Sequence, residues 1–423
     1  MSEFSKITLD NGLRIILSPQ SQSLAITALV LVEAGSKYET KNINGISHFL
    51  EHMCFKGTKK RPKAIDIAGE LDGMGAIYNA FTGHEYTGYF IKSRPDYSEK
   101  ILDILSDIYI NQVFEQKEID KERGVIIEEI NMYEDLPMRK VQELFTELLY
   151  GDQPAGWNIA GRKEVIKSLM AQDFISYRSG HYLANATIVV VAGNFNEEKM
   201  ASDIKKYFSG IPEKEKISKI KTTESQEKPS FIVRNKETDQ THLVVGVRAF
   251  DIFDKRKYVL DVLSDILGGG MSSRLFQKIR DELGAAYYVR AGADLYTDHG
   301  YLAVSAGINH NKIKVVIGAI IEEFKNLAEK EVPAEELEKS KQHLIGNLVL
   351  DLETSDQWAN FYGAQEVLTK KTITPEELIE KIQKVSQSDI KKLSETLFKN
   401  EKLNLAVIGP FKDGFEIGEV LKL

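Results

Sequence analysis

The stretch Asn44-Gly-Ile-Ser-His-Phe-Leu-Glu-His-Met-Cys-Phe-Lys-Gly57 carries the pattern from which the interpretation of this chain starts. Apolar side chains recur within it at helical spacing, at positions 46, 49, 50 and 53. That period predicts an amphipathic helix with one buried face. Asn44 is a suitable N-cap, and Gly57 is expected to stop the helix.

Two imidazoles lie on the other face of this helix. His48 and His52 are four residues apart, which places their Cβ atoms about 6 Å from each other, close enough to converge on one metal ion. Glu51 lies on the same side, where a general base could activate the attacking water. The plainer alternative is a surface helix with two histidines and an ion-pairing glutamate.

A catalytic zinc site needs three protein ligands and an open position. The segment Glu122-Arg-Gly-Val-Ile-Ile-Glu128-Glu129 offers acids on a second predicted helix. Glu122 and Glu129 are seven residues apart and share a helix face, whereas Glu128 points elsewhere. Spacing alone does not choose among the three, and a solvated acidic face is the alternative. A ligand with a supporting carboxylate would use Glu122 and Glu129.

Composition narrows the class of protein. The chain has 423 residues, 42% hydrophobic and 28% charged, which favours two soluble globular domains. A net charge of -8 disfavours nucleic acid as a partner. No apolar run is long enough to span a membrane, and the N-terminal residues lack the build of a targeting segment.

Cys54 is the one cysteine, so no intrachain disulfide can form. This fits a reducing compartment, and we expect a cytoplasmic location. A mature organellar form without its targeting segment would look the same. Cys54 points well round the helix from His52 and is expected to be a small buried side chain rather than a ligand.

The order of elements repeats along the chain. Alternating apolar residues flank the turn Asp10-Asn-Gly12 and predict a hairpin, and strands are predicted near 25–33 and 186–192. A polar segment separates this half from a second half with a similar order of strands and helices. We therefore predict an α+β fold of two duplicated domains, each a mostly antiparallel sheet packed with helices: residues 1–212, a linker at 213–230, and residues 231–423.

A shift of the chain on itself by 218 residues aligns Glu118-Ile-Asp-Lys with Glu336-Leu-Glu-Lys. The same shift places Glu122 on Ser340 and Glu129 on Asn347. If the halves are copies, the first half alone keeps the acids.

Four segments resemble the inverzincin peptidases, a family that includes pitrilysin, insulysin and the β subunit of mitochondrial processing peptidase. They are Gly45–Thr58, Tyr78–Thr82, Glu122–Glu129 and Gly270–Tyr287. The resemblance covers nearly the whole chain, and the reversed His-x-x-Glu-His order is typical of these zinc peptidases.

The resemblance implies a role for each polar residue of the two helices. His48, His52 and Glu129 would hold one zinc ion per chain, Glu51 would be the base, and Glu122 would support the ligands from behind. The implied activity is that of a zinc metalloendopeptidase.

The resemblance also implies how peptide is bound. Asn79, Ala80 and Phe81 match the segment that receives substrate as an added strand. Arg280 and Tyr287 match an Arg and Tyr that orient substrate and stabilise the oxyanion. From the residues alone, Arg280 would be a surface helix residue and Tyr287 a core residue.

Length bears on assembly. Pitrilysin and insulysin resemble two such chains fused into a closed chamber, whereas this chain is half as long and carries both sets of residues. We therefore expect a homodimer whose sites are completed in trans and whose chamber admits peptides or unfolded segments. A different partner chain, a non-catalytic assembly subunit and a metal-dependent hydrolase of a non-peptide substrate remain alternatives.

Overall fold

The computed structural model describes residues 4–411 and 420–423. Its strands are β1 Ser5–Thr8, β2 Arg14–Pro19, β3 Ile26–Val32, β4 Ile77–Thr82, β5 Thr87–Ser93, β6 Thr187–Gly193, β7 Ser230–Asn235, β8 Thr241–Ala249, β9 Ala286–Leu295, β10 Gly300–Ile308 and β11 Leu403–Gly409. Its helices are α1 Ile46–Met53, α2 Ala64–Asp72, α3 Ser98–Ile110, α4 Gln116–Asp135, α5 Pro137–Tyr150, α6 Lys163–Ser168, α7 Ala171–His181, α8 Glu197–Phe208, α9 Lys257–Gly268, α10 Ile313–Glu329, α11 Ala334–Asp351, α12 Ser355–Thr369, α13 Pro375–Gln383 and α14 Gln387–Leu397.

The strands form two sheets with the same internal order. The first sheet runs β1-β2-β6-β3-β5-β4, and the second runs β7-β11-β8-β10-β9. Apart from the added β1, the strand order is first, last, second, fourth, third in both sheets. Each sheet has one parallel pair, β2 with β6 and β7 with β11, and is otherwise antiparallel. The predicted α+β fold with two duplicated, mostly antiparallel sheets is confirmed, and so is the hairpin, in which β1 pairs with β2.

The chain divides into two compact units, and each is made of separate segments. The first consists of Met1–Ile130, Trp157–Ile220 and Val349–Thr374. The second consists of Asn131–Gly156, Lys221–Leu348 and Pro375–Leu423. The domain limits predicted from the sequence, 1–212 and 231–423, stay a prediction.

In the first unit, the central strands are covered on both faces. Every residue of β3 and β6 is buried, which explains their continuous apolar sequence. One face packs against a cluster that includes residues of α1, α3, α4 and α7. The other face is covered by α12, which comes from the second half of the chain.

Helix α12 is fixed to this sheet by close packing and by charge. A Cβ at Gly363 would lie 2.7 Å from Leu31 Cδ1, so a larger residue here would require that leucine side chain to shift. The fully buried Glu366 accepts hydrogen bonds from Arg14 Nη1 at 3.1 Å and from Lys6 Nζ at 2.7 Å. A buried carboxylate with two cationic partners holds the helix in one register.

The second unit is built in the same way with a helix from the first half of the chain. Helix α5 packs against β8 and β11. Its Phe145 also contacts Tyr301 of β10, with ring centroids 5.6 Å apart. The opposite face of this sheet is covered by a core that includes residues of α9, α10 and α14. The two halves of the chain thus exchange one covering helix each.

A buried histidine makes the stability of the first unit depend on pH. His181 lies at the end of α7, is 5% exposed and packs against the ring of Tyr177 at 4.4 Å. Burial lowers the pKa of His181 to about 4. Between about pH 6.5, the ordinary value, and pH 4, the unfolded chain binds a proton here that the folded chain does not.

We therefore predict that the free energy of unfolding falls over this pH range, in part because of His181. Substituting His181→Gln removes that part, which has a slope of at most about 1.4 kcal/mol per pH unit. Urea unfolding at pH 4.5, 5.5, 6.5 and 7.5 measures it. Parallel pH profiles for the parent and the variant would contradict the prediction.

Candidate metal centre

Helix α1 presents the two histidines, and its N-terminus is fixed by a buried carboxylate. The N-cap is Gly45, in the left-handed region with φ 96°, so the predicted cap at Asn44 is wrong. A Cβ at Gly45 would lie 2.7 Å from the carbonyl oxygen of Ala160, which excludes any capping side chain. Glu39 provides the acceptor instead: its carboxylate accepts from the N–H of Gly45 at 2.7 Å and of Ser47 at 2.9 Å.

The environment of Glu39 shows the cost of this arrangement. Burial raises the pKa of Glu39 to about 7, although the hydrogen bonds from the helix N–H groups act in the opposite direction.

The helix ends at Met53, four residues before the predicted stop at Gly57. Its buried apolar side chains are those predicted from the apolar period: Ile46, Phe49, Leu50 and Met53.

The structure brings His48, His52 and Glu129 together. Glu129 Oε2 lies 3.6 Å from His48 Nε2 and 3.5 Å from His52 Nε2. One ligand atom from each residue lies within 4.8 Å of the ligand atoms of the other two. Among residues 4–411 and 420–423, this is the single group of three such residues. Tetrahedral zinc with bonds near 2.1 Å separates its donors by roughly 3.4 Å. The donor set and its spacing therefore fit a zinc ion.

Glu122 lies behind His52. It is 6% exposed, and His52 Nδ1 donates to its Oε1 at 2.9 Å, which leaves Nε2 of the ring as the donor atom toward the group of three. Its other oxygen, Oε2, lies 2.6 Å from Lys56 Nζ. Geometry thus separates the acids that spacing left open, since Glu129 joins the two histidines, Glu122 lies behind them and Glu128 is exposed.

These contacts shift the titration of both partners. Burial lowers the pKa of His52, but the hydrogen bond to Glu122 and the charge of Glu51 outweigh burial and leave that pKa above its usual value. Burial raises the pKa of Glu122, but hydrogen bonds from His52 and Lys56 outweigh it, so that pKa is low. Lys56 was missed from the sequence, although its position one turn after His52 is a usable signal.

Glu51 lies beside the group of three. Its Oε2 accepts a hydrogen bond from Thr82 Oγ1 at 2.5 Å, and burial raises the pKa of Glu51. Thr82 is the last residue of β4. No pattern in the sequence indicates this contact, because it joins residues 31 positions apart.

The segment Asn79, Ala80 and Phe81 lies in β4, an edge strand of the first sheet. Asn79 is exposed, and its Oδ1 accepts from the N–H of Ala80 at 2.9 Å. Phe81 is partly buried against the face that α12 covers. One side of β4 therefore lies outside the hydrogen bonds of the sheet, and the side chain of Asn79 covers one N–H group on the strand.

Arg280 and Tyr287 lie in the second unit. Arg280 is exposed in the π-helical segment Phe276–Glu282, with its guanidinium carbon 4.9 Å from the centre of the Phe276 ring. Tyr287, in β9, is 73% exposed. The expectation of a core tyrosine, drawn from the residues alone, is therefore wrong.

In the second unit, the aligned positions hold Ser340 and Asn347, which belong to a hydrogen-bonded cluster with Asp265 and His343. Ser340 Oγ donates to Asp265 Oδ2 at 2.6 Å, and His343 Nδ1 lies 2.7 Å from Asp265 Oδ1. Asn347, the position aligned with Glu129, lies 3.3 Å from His343 Nε2. The prediction that the first half alone keeps the acids agrees with this arrangement.

Cys54 is fully buried, as predicted, and lies outside the group of three. Burial raises the pKa of its thiol to about 12, so the sulfur is protonated and is a poor ligand. Across the described residues, no helix combines the length and apolar character needed to cross a membrane.

Comparison with known proteins places the chain in a family of peptidases. Residues 14–163 match the family described as Insulinase (Peptidase family M16), and residues 168–344 match the Peptidase M16 inactive domain. A protein of Bacillus subtilis named an uncharacterized zinc protease is 36% identical over 96% of this chain and 98% of its own length. A protein of the same description from Rickettsia felis is also 36% identical, over 96% and 98%.

Solved structures show the same fold. A protease from Helicobacter pylori superimposes with a TM-score of 0.91 at 24% identity, covering 97% of this chain and 100% of that one. A peptidase M16 inactive domain from Pseudomonas fluorescens gives 0.89 at 16% identity, covering 97% and 98%. The chain belongs to peptidase family M16.

The contact between Glu122 and His52 predicts an effect on metal affinity. Substituting Glu122→Ala leaves the His52 ring without its acceptor and should weaken zinc binding by about 10- to 100-fold. Competition with a chromophoric chelator measures the affinity. Glu128→Ala, an exposed acid of the same helix, is the matched control and should bind zinc as the parent does. Equal affinities for all three proteins would remove Glu122 from the site.

Proposed function

We propose that this chain is a zinc-dependent endopeptidase that hydrolyses peptides or unfolded segments. The observation that carries the proposal is the group of His48, His52 and Glu129 with Glu51 beside it. A scaffold has no physical need for three convergent metal donors, each within 4.8 Å of the others, with a carboxylate at their side. The relatives named zinc proteases support the same conclusion.

In this proposal His48, His52 and Glu129 hold one zinc ion. Bound zinc polarises the scissile carbonyl and lowers the pKa of water toward about 7. Glu51 accepts a proton from the attacking water as the new C–O bond forms. It then passes that proton to the amide nitrogen as the C–N bond breaks, so the products are a carboxylic acid and an amine, which become a carboxylate and an ammonium group when the acid's remaining proton moves to the amine.

Strand β4 is the proposed platform for the peptide. A peptide that pairs with its free edge is held by backbone hydrogen bonds, which do not depend on the peptide's sequence. Asn79 Oδ1 occupies the N–H of Ala80 at 2.9 Å, so an incoming peptide carbonyl would replace it. Phe81, whose ring is partly buried in the sheet, keeps this segment of the strand in place.

Completion of the site in trans is a further part of the proposal. Arg280 and Tyr287 are exposed and are therefore available to a second chain. We propose a homodimer in which the partner's Arg280 and the partner's Tyr287 orient substrate at each metal centre. The single cysteine supports a reducing, cytoplasmic location.

The match to an inactive domain does not weigh against catalysis. The family match of that description spans residues 168–344, which begin after the last of the proposed ligands and include Ser340 in the place of an acid. The match to the insulinase family covers residues 14–163 and contains His48, His52 and Glu129.

A Glu51→Gln variant tests the proposed base. It should keep its zinc, because Glu51 lies outside the three donors, and lose about 10²- to 10⁴-fold in turnover. Cleavage of a mixed peptide library, followed by mass spectrometry with and without a chelator, measures the activity. Glu128→Gln makes the same chemical change on an exposed residue and should cleave like the parent. Chelator-insensitive cleavage, or full activity of Glu51→Gln, would refute the proposed mechanism.

Mixing two inactive variants tests assembly in trans. Exchange of subunits between Glu51→Gln and Tyr287→Phe gives heterodimers with one complete site of two, so random exchange should restore about a quarter of parental activity. Mixing Glu51→Gln with the double variant Glu51→Gln/Tyr287→Phe leaves no base in any dimer and is the control. No recovery despite proven exchange would show that each site is made within one chain.

A further inference from the structure

The strand proposed to receive the peptide also contacts the proposed base. Thr82 Oγ1 donates to Glu51 Oε2 at 2.5 Å, at the short end of the range for a hydroxyl bonded to a carboxylate. Thr82 follows Ala80 by two positions, so both side chains lie on the same face of the sheet. Helix α1 packs on β4 and so lies within reach of that face.

The position of Thr82 is fixed from both sides. Within the sheet it pairs with Thr87 of β5. After it the chain turns at Gly83, whose N–H donates to the carbonyl of Tyr86 at 2.8 Å and whose carbonyl accepts from the N–H of Ser36 at 3.3 Å. A donor held by a sheet and a braced turn has little freedom to move.

The tightness of this turn limits that freedom further. A Cβ added at Gly35 would meet the Gly83 carbonyl oxygen at 2.4 Å, so the two loops touch backbone to backbone. Threonine is also stiff at χ1, which keeps its hydroxyl pointing in one direction. Glu51, by contrast, is a long side chain with several rotatable bonds and needs an external contact to select one carboxylate orientation.

We propose that Thr82 is the positioning residue for the base. This inference rests on the proposed function. The Thr82 hydroxyl holds Oε2 of Glu51 and leaves Oε1 to face the attacking water. In this proposal strand β4 contributes to the site in two ways. Its free edge binds the peptide backbone, and its last side chain orients the base toward the scissile bond.

A merely structural threonine would behave differently. Loss of a hydrogen bond that serves only folding lowers stability and leaves turnover per folded, zinc-loaded molecule unchanged. Loss of a positioning contact lowers kcat and leaves KM nearly unchanged, because the peptide backbone still pairs with β4.

The test compares Thr82→Val, Thr82→Ala and Thr82→Ser in the full-length, zinc-loaded protein, with zinc content measured for each. We expect kcat to fall by about 10- to 100-fold in the two variants without a hydroxyl, with KM within about twofold of the parent. Thr82→Ser restores the donor and should recover most of the parental kcat.

Thr27→Val is the matched control, because it makes the same change in the same sheet. Thr27 Oγ1 lies 2.8 Å from Ser355 Oγ, so this variant also loses a threonine hydrogen bond, away from Glu51. Its kcat should equal that of the parent. A second readout needs no activity: in a crystal structure of metal-free Thr82→Val, the Glu51 carboxylate should leave its parental orientation.

Several results would overturn the inference. They are a parental kcat in Thr82→Val, a Thr82→Ser variant as slow as Thr82→Val, loss of zinc from the variants, or an unmoved Glu51 carboxylate. Glu51→Gln, assayed alongside, separates this failure from that of the proposed function. If Glu51→Gln is inactive while Thr82→Val is fully active, the base stands and only the role of Thr82 is lost.

Discussion

The placement of one short helix is the constraint on which the site depends. Helix α1 has eight residues and must bury one face while presenting His48, Glu51 and His52 on the other. Eight residues are too few for a helix to be stable alone. Its N-terminus is therefore held by the buried carboxylate of Glu39, and its apolar face by the core of the first unit. The precision of the donor group comes from these surroundings rather than from the helix itself.

The two units connect their helices through different polar contacts. In the first, His52 and Glu129 converge, and charge accumulates where α1 meets α4. In the second, Asp265 on α9 contacts Ser340 and His343 on α11. These contacts stabilise the unit, and the group of three metal donors found among the described residues does not include them. The polar contacts between helices therefore serve packing in the second unit, whereas in the first unit they leave metal-donor atoms facing one another.

Residue patterns along the sequence predicted the helix, the hairpin and the repeated order of elements. The apolar period of α1, the hairpin of β1 and β2 and the repeated order of elements are properties of short stretches, and all were found as predicted. Thr82 and Glu39 were missed because their contacts join separate elements or cap a helix from outside, where no periodic signal exists, whereas the spacing of Lys56 from His52 is a signal that was not used. The exposure of Tyr287 was also misjudged, since an edge strand and a central strand can share the same residue types.

The exchange of α5 and α12 affects the order in which the chain can fold during synthesis. The first sheet cannot cover its outer face until α12, which ends at Thr369, has left the ribosome. Until then its apolar strands, among them β3 and β6, are exposed on that side, which is a state that favours chaperone binding over native packing. Native packing of the sheet on which helix α1 and its two histidines rest would accordingly be completed late, after nearly the whole polypeptide has been made.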